Sequence, residues 1–369
     1  MQSHVMAAAK VWDVAVIGAG IFAFGHDKGS SHGCSRITRM AHTEAAYIPI
    51  VADTYKQIEE MEAKRNEELW INCGLLWVGA PARIDKIYKT CIDAGCNLEM
   101  LTHDQMRTRF PLFKYDDSWR GIYDPKGGSI HADRWQNAFH DEFLKAGGTF
   151  RGDCEVTSIT RGSPVTLATS QGEIKAKHLI VAAGSWVNKM LPELNVQAKC
   201  MLMNVCYWKP RDDKDATMID PANMPVFIAY DKDDNGREYF AVPPVDYPGA
   251  IKFIDNSGGD VFVSGGAPEV MDDIFVRKTS EHIAKHMPAI SDKPVAVDRC
   301  KYTMSPDHHY LIDYLGDAKN IVVCGMMSGS GFKMSPGLGR GIVHMATGLE
   351  MPFDLSFFGA KRFAKAFRN

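Results

Sequence analysis

Apolar positions recur along the chain with two periods. The run Asp13-Val14-Ala15-Val16-Ile17, closed by Gly18-Ala19-Gly20, predicts a buried strand entering a glycine turn. From Ala45 to Arg65 the spacing becomes helical, with Glu59, Glu60 and Lys64 on the polar side. Leu75–Val78 reads as a strand and Arg83–Ala94 as a helix. Residues 104–126 read as loops and short turns around Pro111 and Pro125, and Arg134–Ala146 as a helix stopped by Gly147-Gly148. Val156–Ile159, Thr166–Ala168 and Gly172–Ala176 alternate as in a meander, and His178–Gly184 predicts a second buried strand that runs into glycine. Residues 200–265 are strand-rich, broken by the polar stretch Asp231–Gly236. A third buried strand, Asn320–Cys324, enters the glycine-rich run Gly325–Gly341, with a helix from about Gly339. Three widely separated buried strands, each ending in glycine, predict an α/β domain split by strand-rich insertions.

Composition narrows this picture. The 369 residues are 45% hydrophobic and 24% charged, enough for a large core and, by length, two domains of roughly 100–200 residues each. A net charge of -3 argues against nucleic acid or an anionic membrane as the main partner. No apolar run approaches the roughly 20 residues of a spanning helix, and Met1–Lys10 lacks the apolar stretch of a signal peptide. The nine cysteines form no Cys-x-x-Cys pair, so neither a disulfide framework nor a zinc site is expected. A cytoplasmic protein in a reducing setting follows, and the ending Phe367-Arg368-Asn369 is not a Ser-Lys-Leu type address. Adjacent His308 and His309, beside Asp307, would point to opposite faces of a strand, so no metal is assigned to them.

The first strand carries the first chemistry. Val14 to Ala23 fits the strand and G-x-G-x-x-(G/A) opening of a dinucleotide-binding unit, in which Gly18 makes the tight turn and Gly20 lets the backbone approach a pyrophosphate. A helix and a second strand ending in an acidic residue should follow. Here Phe22 to Gly29 comes at once, with no room for a helix, and Asp27 stands too close to Gly18 to hold a ribose. Either the unit is cut short or the motif is accidental.

The segment Gly29-Ser30-Ser31-His32-Gly33-Cys34-Ser35-Arg36-Ile37-Thr38-Arg39 resembles the flavin-binding segment of the monomeric sarcosine oxidase and peroxisomal pipecolate oxidase family. The resemblance resumes at Ala182-Ala183-Gly184-Ser185-Trp186, at Tyr247 to Lys252, at Arg299-Cys300-Lys301-Tyr302-Thr303 and at Ser328 to Lys333. It implies a Rossmann-like FAD-binding domain (1–78, 131–200 and 307–369) and a discontinuous, strand-rich substrate domain (79–130 and 201–306). It also implies that a block of very roughly 20–25 residues is absent after Ala23, the helix and second strand of the nucleotide unit. The adenosine half of FAD would then lack its ribose partner, and the pyrophosphate its helix N-terminus.

The activity the resemblance implies is oxidation of a secondary amino acid, such as sarcosine or pipecolate, to an imine, with oxygen reduced to hydrogen peroxide by a monomeric enzyme. Arg39 and Lys333 match the cations that hold the substrate carboxylate, Lys252 the lysine that activates oxygen, and Arg36 and Tyr302 further catalytic positions. Cys300 matches the cysteine that attaches the flavin ring. Gly18, Gly20, Ser30, Ser31, Arg36, Val156, Gly184, Trp186, Gly329, Gly331 and Lys333 complete the implied cofactor contacts. Asn256 replaces the family's active-site histidine, Ser330 stands where its C-terminal loop has histidine, and Tyr239-Phe240 replaces an aromatic pair with one more hydroxyl. Alternatives are a non-catalytic, FAD-poor variant, a flavin dehydrogenase serving another electron acceptor, and an oxidase of fructosyl amino acids. A peroxisomal location is implied by the family alone.

Overall fold

The computed structural model describes residues 10–18, 29–31, 33–194, 196–257, 259–261 and 274–363. Gly20, Ala23 and Asp27, and with them most of the glycine turn, lie outside the described residues.

The strand Gly172–Val181 organises a six-stranded sheet. It pairs in parallel with Val11–Ile17 (Ile17 opposite Val181) and with Ala318–Gly325 (Ile180 opposite Val322), and antiparallel with Val165–Thr169. Both of its faces are covered. Ile180 packs with Ile50, Val322 and Leu338 under the helices Ile48–Arg65 and Ser335–Thr347, while Leu179 and Val181 pack with Leu191, Ile321 and Val323 on the other side. Gly172–Ala176 and His178–Val181, expected as separate strands, are this one strand, because Lys177 reaches across to Asp13 (2.7 Å) instead of starting a turn.

The edge strand departs from expectation. Val11–Ile17 was expected to be buried, yet Val16 is 57% exposed. Among the described residues it pairs only with Gly172–Val181, so its outer edge, where the next strand of a dinucleotide unit would lie, has no partner.

A nine-stranded sheet carries the strand-rich insertions, in which Ala250–Asp255 lies between Lys199–Trp208 and Arg237–Tyr247, with Ala296–Met304 on the far side of Lys199–Trp208. Period-two alternation divides its faces. Ile251, Phe253, Tyr239 and Ala241 enter a core with Phe227 and Trp208, and their neighbours Lys252, Ile254, Phe240 and Val242 face the opposite side. A three-stranded sheet, Ser35–Thr38, Gly128–His131 and Trp70–Ile71, sets Arg36 opposite Ile130.

Two more expectations are corrected. Residues 104–126 contain the helix His103–Arg109, begun by a capping box between Thr102 and Gln105, and the strand Arg120–Asp124. The C-terminal helix starts at Ser335 instead of near Gly339, with Pro336 in its first turn, where a missing N–H costs nothing.

Candidate active site

The second face of the nine-stranded sheet, the three-stranded sheet and the loop 326–334 enclose a cavity of about 420 Å³. Arg36, Arg39, Lys252, Cys300, Tyr302, Gly329 and Lys333 all line it, although up to 297 positions separate them in sequence (Arg36 to Lys333).

Lys252 is 9% exposed, and its ammonium lies 2.9 Å from Asp246 Oδ2 and 2.6 Å from Ser35 Oγ. Ser35 in turn donates to Asp246, which also accepts from the Cys34 N–H at 3.1 Å. Burial pushes the Lys252 ammonium below its usual pKa, with Asp246 opposing the shift and the nearby Arg36 adding to it. Burial alone would raise the Asp246 carboxyl, but the Lys252 charge and these hydrogen bonds outweigh it and hold it below the usual range. Asp246 was not singled out in the sequence. It lies immediately before the Tyr247–Lys252 segment, and only the hairpin turns it onto Lys252.

The other pair of cations has no such partner. Arg39 donates to the Ala41 carbonyl (2.7 Å) and stacks over Trp77 (4.4 Å to the ring centre), and its shielded Nε has no hydrogen-bond partner. Lys333 is 9% exposed. Among the described residues neither is paired with a carboxylate within 4.0 Å, and burial followed by the charge of Arg39 depresses the Lys333 ammonium well below its usual pKa. Two cations of like sign on one cavity wall make a site for an anion, and the planar fork of Arg39 suits a carboxylate.

Arg36 donates to the Ser35 carbonyl (2.7 Å) and the Ser30 carbonyl (3.0 Å) and sits 5.2 Å above the Phe332 ring. Cys300 is a free, partly exposed thiol opposite Met203. Gly329 has φ +77°, and a Cβ there would stand 2.9 Å from the Tyr302 ring, so only glycine lets this loop pass over the tyrosine. The polar backbone of this loop, the cations and the free thiol on one wall fit the ring end of a flavin. Ser30 adjoins this wall through its hydrogen bond to Arg36, Gly331 lies between the wall residues Ser330 and Phe332, and the Ser31 carbonyl accepts from Gln136 Nε2. Gly18, Val156, Gly184 and Trp186 belong to the six-stranded sheet and the loops at its ends and do not line the cavity, although Gly184–Trp186 touches the strand Ala296–Met304 that carries Cys300 and Tyr302. Gly18, at φ +103°, needs glycine for a local reason too: a Cβ would lie 2.2 Å from the Ala182 carbonyl oxygen.

Several wall residues were missed in the sequence. Glu238 accepts from Asn256 Nδ2 (3.0 Å) near Arg83 (3.5 Å), and His42 stacks on Tyr47 at 5.2 Å. Burial, with Arg39 and Lys333 nearby, keeps the His42 imidazole well below its usual pKa. Of Tyr239-Phe240 only Phe240 faces the cavity, since Tyr239 is turned into the core and donates to the Lys278 carbonyl at 3.3 Å. His308 and His309 occupy a turn instead of a strand, and His309 Nδ1 is hydrogen-bonded to Tyr47 at 2.9 Å.

The profile of the DAO family, described as FAD dependent oxidoreductase, matches residues 5–345. A Caenorhabditis elegans protein provisionally named sarcosine oxidase is 38% identical over 376 positions, covering 95% of this chain and 98% of that protein. Since 95% of 369 residues is about 350, some 25 of those 376 aligned positions have no residue in this chain. Mouse peroxisomal sarcosine oxidase is 28% identical over 380 positions, covering 96% of each chain. The crystal structure of NikD, an unusual amino acid oxidase essential for nikkomycin biosynthesis, shares the fold at a TM-score of 0.77 and 18% identity, covering 95% of this chain and 97% of that one. The family profile spans nearly the whole chain, all three sheets included: the chain belongs to the DAO family of FAD dependent oxidoreductases.

Proposed function

We propose that this chain oxidises a secondary amino acid, N-methylated or cyclic as in sarcosine or pipecolate, with FAD as cofactor and oxygen reduced to hydrogen peroxide. The observation that carries this reading is the pair Arg39 and Lys333, cations without a carboxylate partner among the described residues, on the cavity wall that also holds Lys252 and Cys300. The sarcosine oxidase names of the worm and mouse relatives support the substrate class. The mouse name also supports a peroxisomal setting.

When bound, FAD supplies the acceptor for the electrons leaving the substrate. The chain supplies position and charge. Arg39 and Lys333 take the substrate carboxylate and so fix where its amine and α-carbon lie. Phe240, Ile254, Met304 and Phe332 give the cavity apolar walls that exclude water from the reacting bond. Lys252, held by Asp246 and Ser35, keeps a positive charge where negative charge develops on oxygen. Arg36, Tyr302 and Gly329 would hold the flavin ring, and Cys300 would attach it. Gly18, Gly20, Ser30, Ser31, Val156, Gly184, Trp186 and Gly331 would serve the rest of the cofactor. In this reading segments 1–78, 131–200 and 307–369 form the cofactor domain, and 79–130 and 201–306 close over the substrate.

A second reading has its own support. The outer edge of Val11–Ile17, which has no partner strand among the described residues, favours a chain that holds FAD poorly and does not turn over. One experiment separates the two: purify the protein with added FAD, supply sarcosine, pipecolate or a fructosyl amino acid in air, and measure peroxide. Peroxide from a secondary amino acid supports oxidation, and a folded, flavin-free, inactive protein supports the second reading.

A further inference from the structure

Away from the cavity, the helix Ile274–His286 ends with His282 and His286 one turn apart on a single face, both 3% exposed. Asp231, 6% exposed, comes from the strand Val226–Asp231, and one ligand-type atom from each of the three residues lies within 4.8 Å of the others. We propose that Asp231, His282 and His286 form a buried site for one divalent zinc ion.

The hydrogen bonds around the cluster favour this assignment. His286 Nδ1 is bonded to the Lys114 carbonyl (3.1 Å), an acceptor only, so Nδ1 carries the proton and Nε2 presents a lone pair. That Nε2 is shielded from solvent and has no partner among the described residues. Leaving such an acceptor unmet in a buried place is unfavourable, and a cation at that position would satisfy it. His282 Nδ1 lies 2.9 Å from Asp231 Oδ2 and its Nε2 lies 2.8 Å from the Tyr115 hydroxyl. Asp231 Oδ1 accepts from the Asp233 N–H at 2.9 Å.

A zinc ion between Asp231 Oδ2, His282 Nδ1 and His286 Nε2 would therefore meet groups whose far sides are already tied down. Tyr115 backs His282, the Lys114 carbonyl backs His286 and the Asp233 amide backs Asp231, the outer contacts that orient zinc ligands. On entry of the ion the His282 proton leaves Nδ1 and returns on Nε2, where it is donated to the Tyr115 oxygen, so no proton need leave the protein. Ligands about 2.0–2.2 Å from a tetrahedral zinc lie roughly 3.3 Å apart, so separations that are all within 4.8 Å need to close by no more than about 1.5 Å of side-chain movement. Lys285, the nearest cation on the same helix, is held off by Asp233 at 2.9 Å. Spacing along the chain hides the site, because Asp231 precedes His282 by 51 positions.

Isothermal titration of chelator-treated, full-length protein with zinc chloride tests the proposal. About one zinc ion should bind per chain, His286→Gln should weaken binding more than about tenfold, and His308→Gln should leave it unchanged. Asp231→Asn, which keeps a hydrogen-bonding side chain, is the second ligand variant and should weaken binding likewise. Wild-type protein that takes up no zinc, or binding that survives both ligand substitutions, would overturn the assignment.

Discussion

The Lys252 ammonium rests 2.9 Å from the Asp246 carboxylate, and both side chains are almost closed to solvent. Asp246 thereby raises the pKa that burial depresses, so removing its charge lowers the Lys252 pKa further. In Asp246→Asn, Lys252 should lose its proton at lower pH than in the wild type. Oxygen reoxidation of the reduced flavin should then slow on the alkaline side and recover on acidification, whereas Lys252→Met should be slow at every pH. Stopped-flow reoxidation across pH checks this, and an Asp246→Asn profile like the wild type's would show that the pairing does not matter.

Arg39 and Lys333 should act on binding through the carboxylate. Arg39→Ala or Lys333→Met should each weaken binding of a small carboxylic acid, followed by the flavin spectrum, by about 1.5–3 kcal/mol, the range for a hydrogen bond to a charged group. Because burial lowers the Lys333 pKa, wild-type affinity should fall as pH rises, beginning below the roughly 10.4 of a free lysine. Lys333→Arg, which stays charged, should lose that alkaline decline.

Cys300 is the test of covalent attachment. Acid precipitation of the FAD-loaded wild type should leave yellow protein, and Cys300→Ser should release all flavin to the supernatant. Release from both proteins would leave Cys300 as a wall residue without a bond to the cofactor.

Gly18→Ala tests whether the first glycine serves the fold apart from any nucleotide. The left-handed backbone and the 2.2 Å approach to the Ala182 carbonyl predict a loss of about 2 kcal/mol or more in flavin-free protein, read from denaturant midpoints. An unchanged midpoint would confine that glycine to phosphate contact.

How much of this was legible in the sequence depended on distance along the chain. Arg36, Arg39, Cys300, Tyr302, Gly329 and Lys333 stand in short segments that keep their local pattern, and the cavity gathers them as expected. Asp246, Glu238 and Trp77 were invisible because pairing between strands, and not spacing, brings them to the site, and His42 reaches it from the loop after Ser35–Thr38. The helix His103–Arg109 was readable from Thr102 and Gln105 but was masked by the surrounding prolines. The burial expected for Val11–Ile17 failed for a different reason. Its apolar pattern suits a strand flanked on both edges, and one flank has no counterpart among the described residues.

As proposed, this cavity seats a flavin against a secondary amino acid. Mixing the FAD-loaded protein with sarcosine or pipecolate in the absence of oxygen, and following the visible flavin absorption, tests it most directly. The yellow colour should bleach and return on admitting air, with peroxide released. A compact protein that binds no FAD in excess cofactor, or whose bound flavin keeps its colour with every secondary amino acid tried, would contradict it.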